Sequence, residues 1–274
     1  MRVVQLSDHP SDLLKRSRQR VSKEQQRELQ RYDNALARHQ AELKRLVSAR
    51  DTARTSRHWL AWIRGMFAVR RARRMAPVQP RFANAASEEE AILMAGIKGE
   101  QSVADALGRS LNDDWVLFRG YHNPRGEIDH VLLGPRGLVA IEVKNISGVV
   151  SCDGDRWWVD KYDRFGNRKE REDLLDRGRR PRSPSMQLNE PADLLEDFLR
   201  SRREDVDLLR VVFLAHERSE IGTCRGARVH IFTEANDIGT LMRKVPQPFN
   251  QHQRKHLEEL IIADHRHHAA RRPR

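Results

Sequence analysis

Asp129, Glu142 and Lys144 combine types and spacing that suit chemistry on a phosphodiester. They lie in the run Gly126-Glu-Ile-Asp-His-Val-Leu-Leu-Gly-Pro-Arg-Gly-Leu-Val-Ala-Ile-Glu-Val-Lys-Asn145. IDHVLL and LVAIEVKN read as two strands joined by a Gly-Pro-Arg-Gly turn. Alternation along the second strand puts Ala140, Glu142 and Lys144 on one face and Val139, Ile141 and Val143 on the other. A carboxylate and an amine are costly to place on an otherwise apolar central strand. Breaks of this kind in a local pattern are where functional sites are expected. Asp129 and Glu142 offer hard oxygen ligands of the kind Mg²⁺ takes, one or two carboxylates together with waters and phosphate oxygens. A metal held there would activate water and neutralise charge developing on phosphorus. Lys144 would orient or deprotonate that water, or stabilise the transition state. The bland alternative is an internal Glu–Lys or Asp–Lys ion pair at the end of a sheet.

The elements that must position these residues surround them in sequence. Ser87-Glu-Glu-Glu90 is a capping signal with acids in a first helical turn, and the helix continues through AILMAGIKGEQSVADAL. Its apolar face is Ile92, Leu93, Ile97, Val103, Ala104 and Leu107. Gly96 and Gly99 cost about 1 kcal/mol each relative to Ala in a helix interior. Either a close approach requires them, or the helix breaks near Gly99 and restarts at Glu100. WVLFRGY at 115–121 is a strand, and VVSCDG (149–154) with RWWVD (156–160) forms a hairpin. In that hairpin Cys152 is a packing residue, and Trp157 and Trp158 face opposite sides. Residues 161–185 form a charged excursion in which Arg177, Arg179, Arg180 and Arg182 either stay solvated or contact phosphate. A helix opens at Gln187, strands follow at 208–215 and 227–232, and a short helix at 235–244. The tail is a helix that frays into basic sequence, leaving His252, His256, His265, His267 and His268 in a loosely ordered end rather than a metal site.

Ahead of this body lies a different kind of sequence. Of 274 residues, 38% are hydrophobic and 33% charged, a polar balance whose charge is unevenly spread. Residues 1–80 hold 19 Lys and Arg against seven Asp and Glu, while the remaining residues carry 32 of each sign. The formal charge of +12 therefore belongs to an N-terminal arm. Residues 22–57 read as helix. Leu29, Tyr32, Leu36, His39, Leu43 and Leu46 recur at steps of three and four, a seam through which 29–46 could form a coiled-coil homodimer. Loose solvation or packing on its own domain is the simpler use of that helix. Trp59, Trp62, Ile63, Met66 and Phe67 share a helical face, with Arg70, Arg71, Arg73 and Arg74 following. A peripheral membrane contact through 59–74, a docked partner helix, or DNA phosphates would each suit it. Residues 76–87 read as a linker. The expected divisions are an arm at 1–80, a folded body at 81–245, and a C-terminal helix and basic tail at 246–274.

Two cysteines without C-x-x-C spacing exclude a disulfide framework and point to a reducing compartment. The first residues lack the apolar core of a secretory signal, and no run is long enough to span a bilayer, so a cytoplasmic location is expected, with peripheral membrane attachment as the variant.

The run Gly96-x-x-Gly99-Glu100, then GEIDHVLLGPRGLVAIEVKN, then the hairpin with Trp157 and the later Gln187, resembles the nuclease-related domain family, NERD, over about residues 92–240. That family belongs to the PD-(D/E)XK nuclease superfamily. The resemblance implies an α/β, restriction-endonuclease-like mixed central sheet flanked by helices, here preceded by the long basic arm. By it, Asp129 matches the acid of the first catalytic strand, Glu142 and Lys144 the (D/E)XK pair, and Glu100 the acid on the leading helix. Glu100, Asp129 and Glu142 would then hold Mg²⁺ or Mn²⁺. Gln187 matches the family's glutamine on the helix behind the active-site strands, holding the lysine or the nucleic-acid backbone. Ile128 stands where the superfamily's namesake proline precedes the aspartate. The implied function is a metal-dependent nuclease acting on nucleic acid, with DNA the expected substrate, in DNA processing or defence. The alternative is a non-catalytic adaptor on the same fold, binding nucleic acid, membrane or a partner.

Overall fold

The computed structural model describes residues 1–82, 88–176, 178, 180–243 and 248–271. Two compact units emerge, one comprising residues 1–13 with 91–274 and the other residues 14–90. This differs from the division at residues 80 and 245 read from the sequence. The first residues join the larger unit because β1 (Arg2–Gln5) adds a parallel strand beside β2 (Val116–Asn123). The C-terminal helix joins it too, resting on the same sheet.

In the larger unit, β2, β3 (Gly126–Gly134) and β4 (Gly137–Lys144) run antiparallel as consecutive neighbours. β5 (Gly148–Asp153), β6 (Arg156–Tyr162) and β7 (Arg168–Asp173) follow, then helix α4 (Pro184–Ser201), β8 (Leu208–Leu214), β9 (Ser219–Arg225) and β10 (His230–Phe232). The six-stranded sheet has the order β1-β2-β3-β4-β8-β10, and a second sheet the order β7-β6-β5-β9. Both are mixed. The architecture is thus the expected mixed α/β class, built from two sheets where one central sheet was expected. The excursion at 161–185 is partly strand, since β7 pairs antiparallel with β6.

Alternation on β4 sorts its side chains between two cores. Leu138 and Ala140 pack with α4 residues Leu188, Ala192, Leu195 and Leu199 and with Trp157 and Val159 of the second sheet. Val139, Ile141 and Val143 pack on the opposite side. There they meet Val103, Ala104 and Leu107 of α3 (Glu88–Ser110) and Ile238 and Met242 of α5 (Ala235–Met242). Covered on both faces, β4 is buried from Gly137 to Val143. The second hairpin behaves as read: Cys152 and Trp157 are buried, whereas Trp158 is half-buried beside Arg171.

Helix α6 (Gln251–Ala269) begins with Asn250 in a reciprocal capping box with Gln253. It does not fray at its histidines. Asp264 and His265 are buried, and the Tyr121 hydroxyl donates to the Asp264 carboxylate. The His122 amide donates to His265 Nδ1 at 3.1 Å, and His265 Nε2 lies 3.2 Å from the Leu6 carbonyl oxygen. With Nδ1 accepting, the Nε2–H tautomer donates to Leu6. His265 is therefore a buried connector between the chain's two ends.

The smaller unit consists of most of α1 (His9–Thr55), α2 (Trp59–Arg74) and the start of α3. Along α1, Leu29 is exposed, and Tyr32, Leu36, His39, Leu43 and Leu46 are half-buried. The α1–α2 turn puts Arg57 at φ +58° and returns the His58 amide to the Ala53 carbonyl at 3.0 Å. At the start of α3, Glu89 and Glu90 pair with Arg20 and Arg18 at 2.6 Å each. Ser87, the expected cap, lies outside the described residues. Among the described residues no helix is long and apolar enough to cross a membrane.

Candidate functional site

Glu142 and Lys144 follow each other on one face of β4, at its C-terminal end, opposite Val212 and Leu214 of β8. The Lys144 Nζ donates to Glu142 Oε1 at 2.7 Å and to Gln187 Oε1 at 2.8 Å. Gln187 stands in the first turn of α4, whose start is set by Ser183 as N-cap and Pro184 behind it. Its own amide group donates to the Arg182 carbonyl at 2.8 Å. Gln187 therefore links the lysine to the loop preceding α4, and the helix opens three residues earlier than the sequence indicated.

Asp129 comes from β3. Its Oδ2 accepts the Val143 amide at 2.7 Å, which locks the aspartate to the backbone between Glu142 and Lys144. Glu100 arrives from α3 on the other side of the sheet. The close approach implied by the glycines is real at Gly99, where an added methyl would stand 2.9 Å from Asn145 Cβ. α3 is continuous through this point, and the Asn145 amide group donates to the Ala95 carbonyl at 2.6 Å. Gly96 meets no comparable neighbour. His130 closes the junction, its Nε2 lying 3.1 Å from the Glu100 carbonyl oxygen. Burial holds the His130 ring neutral, its pKa lowered to about 4.

The carboxylates feel one another. Burial raises the Asp129 carboxyl well above its ordinary range, and Glu142 and Glu100 raise it further against the pull of Lys144 and the Val143 amide. Burial, with Glu127 adding to it, lifts Glu100 to about 7 despite Arg119. For Lys144, burial alone would depress the amine, but Glu142 and Asp129 together hold it above its ordinary value. The amine is a cation at neutral pH while those carboxylates surround it.

Two acids went unread in the sequence. Glu127 precedes Asp129 by two residues on the same strand, a spacing that could have flagged it, and it accepts the Ser7 hydroxyl at 3.1 Å. Asp8 also raises Glu100, but it is distant in sequence and carried no signal. The arginine group is only partly assembled. Arg182 is held by Asp176 and Glu190 at 3.2 Å each and donates to the Arg125 carbonyl at 3.0 Å. Arg180 is exposed, while Arg177 and Arg179 lie outside the described residues. Ile128, at the superfamily's proline position, is fully buried in the α4-side core.

As they stand among the described residues, no three His, Cys, Asp or Glu groups close into a metal cage. The donor set nevertheless suits a hard divalent cation. Mg²⁺ keeps several waters and needs only one or two carboxylates, and Asp129 with Glu142 supplies two whose mutual repulsion a cation would relieve.

Residues 95–215 match the family model of NERD, the nuclease-related domain. Over that stretch the chain is similar to the nuclease-related domain. The match runs from the middle of α3 to the residue after β8, and so includes Glu100, Asp129, Glu142, Lys144 and Gln187. Neither the curated proteins nor the solved structures searched contain a match to the chain. NERD supports the nuclease-like fold and a nuclease-related function.

Proposed function

We propose that this protein hydrolyses phosphodiester bonds in nucleic acid, with DNA as substrate, at the Asp129–Glu142–Lys144 site. The observation that carries the reading is the linked geometry of the NERD domain's β3 and β4: Asp129 on the Val143 amide, and Lys144 between Glu142 and Gln187. Asp129 and Glu142 would hold Mg²⁺ or Mn²⁺, with Glu100 in electrostatic reach. When bound, the metal supplies charge neutralisation at phosphorus and a more acidic water.

The protein's own groups account for the rest. Glu100, poised near neutrality at about 7, is suited to accept the proton of the attacking water. Water oxygen bonds to phosphorus, one bridging P–O bond breaks, and its electron pair leaves with the departing oxygen. Lys144 remains a cation facing the reacting phosphate, stabilising negative charge there, while Gln187 fixes the direction of its Nζ. This favours the electrostatic role of Lys144 over deprotonation of water. The half-exposed α1 seam suits pairing of two copies through 29–46, which light scattering of the full chain would test.

Cleavage of linear and circular DNA with Mg²⁺ or Mn²⁺ tests the reading, wild type beside Asp129→Ala and Lys144→Ala. Loss of cleavage in both folded variants supports it. A wild type that cuts nothing and shows no calorimetric metal binding overturns it and leaves the adaptor reading.

A further inference from the structure

Between Asp51 and Glu88 the sequence contains eight arginines, no lysine and no acid. Helix α2 occupies the middle of this stretch. Its Gly65 is in close approach to α1: an added methyl would lie 3.0 Å from Arg50 Cβ. Val69, one turn further on the same side, is buried. The helix therefore turns Gly65 and Val69 inward, with Trp62 half-buried on that side and not with Trp59 as the sequence suggested, and turns Trp59, Leu60, Met66 and Phe67 outward. Trp59 is 64% exposed and Phe67 66%, and Leu60 and Met66 are exposed with them. At about 100° per residue these four, with Ile63, fall within a wedge of about 120°. Arg70 and Arg74 continue that wedge one turn later, and Arg71 and Arg73 flank it. All four arginines are exposed.

We infer that α2 is an interfacial anchor that lays this wedge on an anionic lipid bilayer, with Trp59, Leu60, Met66 and Phe67 in the acyl–headgroup boundary and the arginine turn on the lipid phosphates. Two requirements select this occupant. Outward-facing aromatic and aliphatic side chains gain only by leaving water. The acid-free arginine turn beside them attracts anions. A second copy of α2 would satisfy the first requirement but bring the same positive charge. Nucleic acid would satisfy the second but leave the aliphatic side chains in water. An anionic bilayer surface satisfies both, and the long arginine side chains reach headgroups while their stems stay with the apolar wedge. The anchor is independent of the phosphodiester site and would localise whatever the NERD domain does.

Co-sedimentation of the full chain with vesicles tests this, comparing phosphatidylcholine alone with phosphatidylcholine containing ~30% phosphatidylglycerol. Wild type should pellet with the anionic vesicles and not with the neutral ones. Trp59→Ser with Phe67→Ser alters only exposed positions and should weaken binding at least ~10-fold. Arg70→Gln, Arg71→Gln and Arg74→Gln should each weaken it about fivefold. Phe165→Ser, at an exposed aromatic of the larger unit, should change nothing. Wild type that ignores anionic vesicles, or binds them as well after the Trp59/Phe67 change, overturns the proposal. So does a Trp59/Phe67 variant that loses self-association or duplex-DNA binding while wild type shows no lipid binding.

Discussion

Two lysine–glutamate pairs of nearly equal length occupy the two sheets. Lys144 and Glu142 meet at 2.7 Å with side chains 20% and 7% exposed, and Lys161 and Glu172 meet at 2.6 Å with both 41% exposed. The second pair spans β6 and β7 in water, where a surface ion pair contributes about 0–1 kcal/mol and salt screens it. The first is surrounded by Asp129, Glu100 and Gln187 on a strand covered on both faces. Burial thus separates a solvated contact from a group in which Glu142 and Glu100 raise the Asp129 carboxyl and Glu142 and Asp129 hold the Lys144 amine charged. Pair geometry alone would not distinguish them.

The largest expected difference is in activity. Asp129→Asn and Lys144→Ala should each lower nuclease turnover by ~10³-fold or more, whereas Lys161→Ala should leave it within about twofold. Steady-state cleavage with all three proteins at matched fold content checks this. Equal losses at the two lysines would erase the contrast.

Stability should divide the same way. Lys144→Met leaves Glu142 buried without its cation and should cost ~3–5 kcal/mol, while Lys161→Met should cost less than about 1 kcal/mol. Adding Glu142→Gln to Lys144→Met should return much of the loss, because the uncompensated charge goes with it. Urea midpoints with unchanged slopes are the readout.

The pH response sharpens the comparison further. Glu100 has a folded-state pKa raised from 4.5 to about 7. A carboxyl raised in this way contributes stability that is full below about 4.5 and lost as pH rises through about 7. Glu100→Gln should therefore melt higher than wild type at pH 8 and no higher at pH 4.5. If Glu100 must ionise for catalysis, wild-type cleavage climbs as pH passes about 7, and that inflection vanishes in Glu100→Gln. A coincident gain in stability and loss in rate would show a site held at a cost to the fold.

Much of the region around the buried pair was legible in sequence, because β3 and β4 state their own alternation and the odd residues stand out against it. The sorting of Ala140, Glu142 and Lys144 from Val139, Ile141 and Val143 is visible in one strand, whereas Gly96 and Gly99 left open a close approach or a helix break, which only the structure decides at Gly99. The solvated pair's strand was not legible: β7 reads Arg-Lys-Glu-Arg-Glu-Asp, with no apolar period, because it is an edge whose register comes from β6. β1 escaped for another reason, since its partner β2 lies more than a hundred residues away. Asp8 reaches Glu100 through that same long-range pairing. His265 escaped as well, because a histidine-rich amphipathic tail looks solvated until Leu6 and His122 are placed against it. NERD resemblance supplied Gln187, which its own helix does not distinguish from a surface glutamine.

Gln187 gives the smallest expected effect and the finest comparison. Its amide oxygen takes one Lys144 proton at 2.8 Å, and its amide nitrogen holds the Arg182 carbonyl at 2.8 Å. Lys161 has no such third partner among its described hydrogen bonds, which name Glu172 alone. Gln187→Ala should cost about 1 kcal/mol, an ordinary hydrogen-bond loss. It should also free the Lys144 ammonium to swing within its pocket. If direction matters as well as charge, turnover falls ~10-fold with little change in KM, since the interaction is stronger on the reacting phosphate than on bound substrate. Gln187→Glu retains an acceptor for Lys144 but replaces the donor to Arg182 with a carboxylate. A variant that keeps turnover there, while Gln187→Ala loses it, would assign the effect to the lysine contact and not to the loop before α4. Loss in both would move the role of Gln187 to the Arg182 carbonyl, making the loop the element that aligns the site.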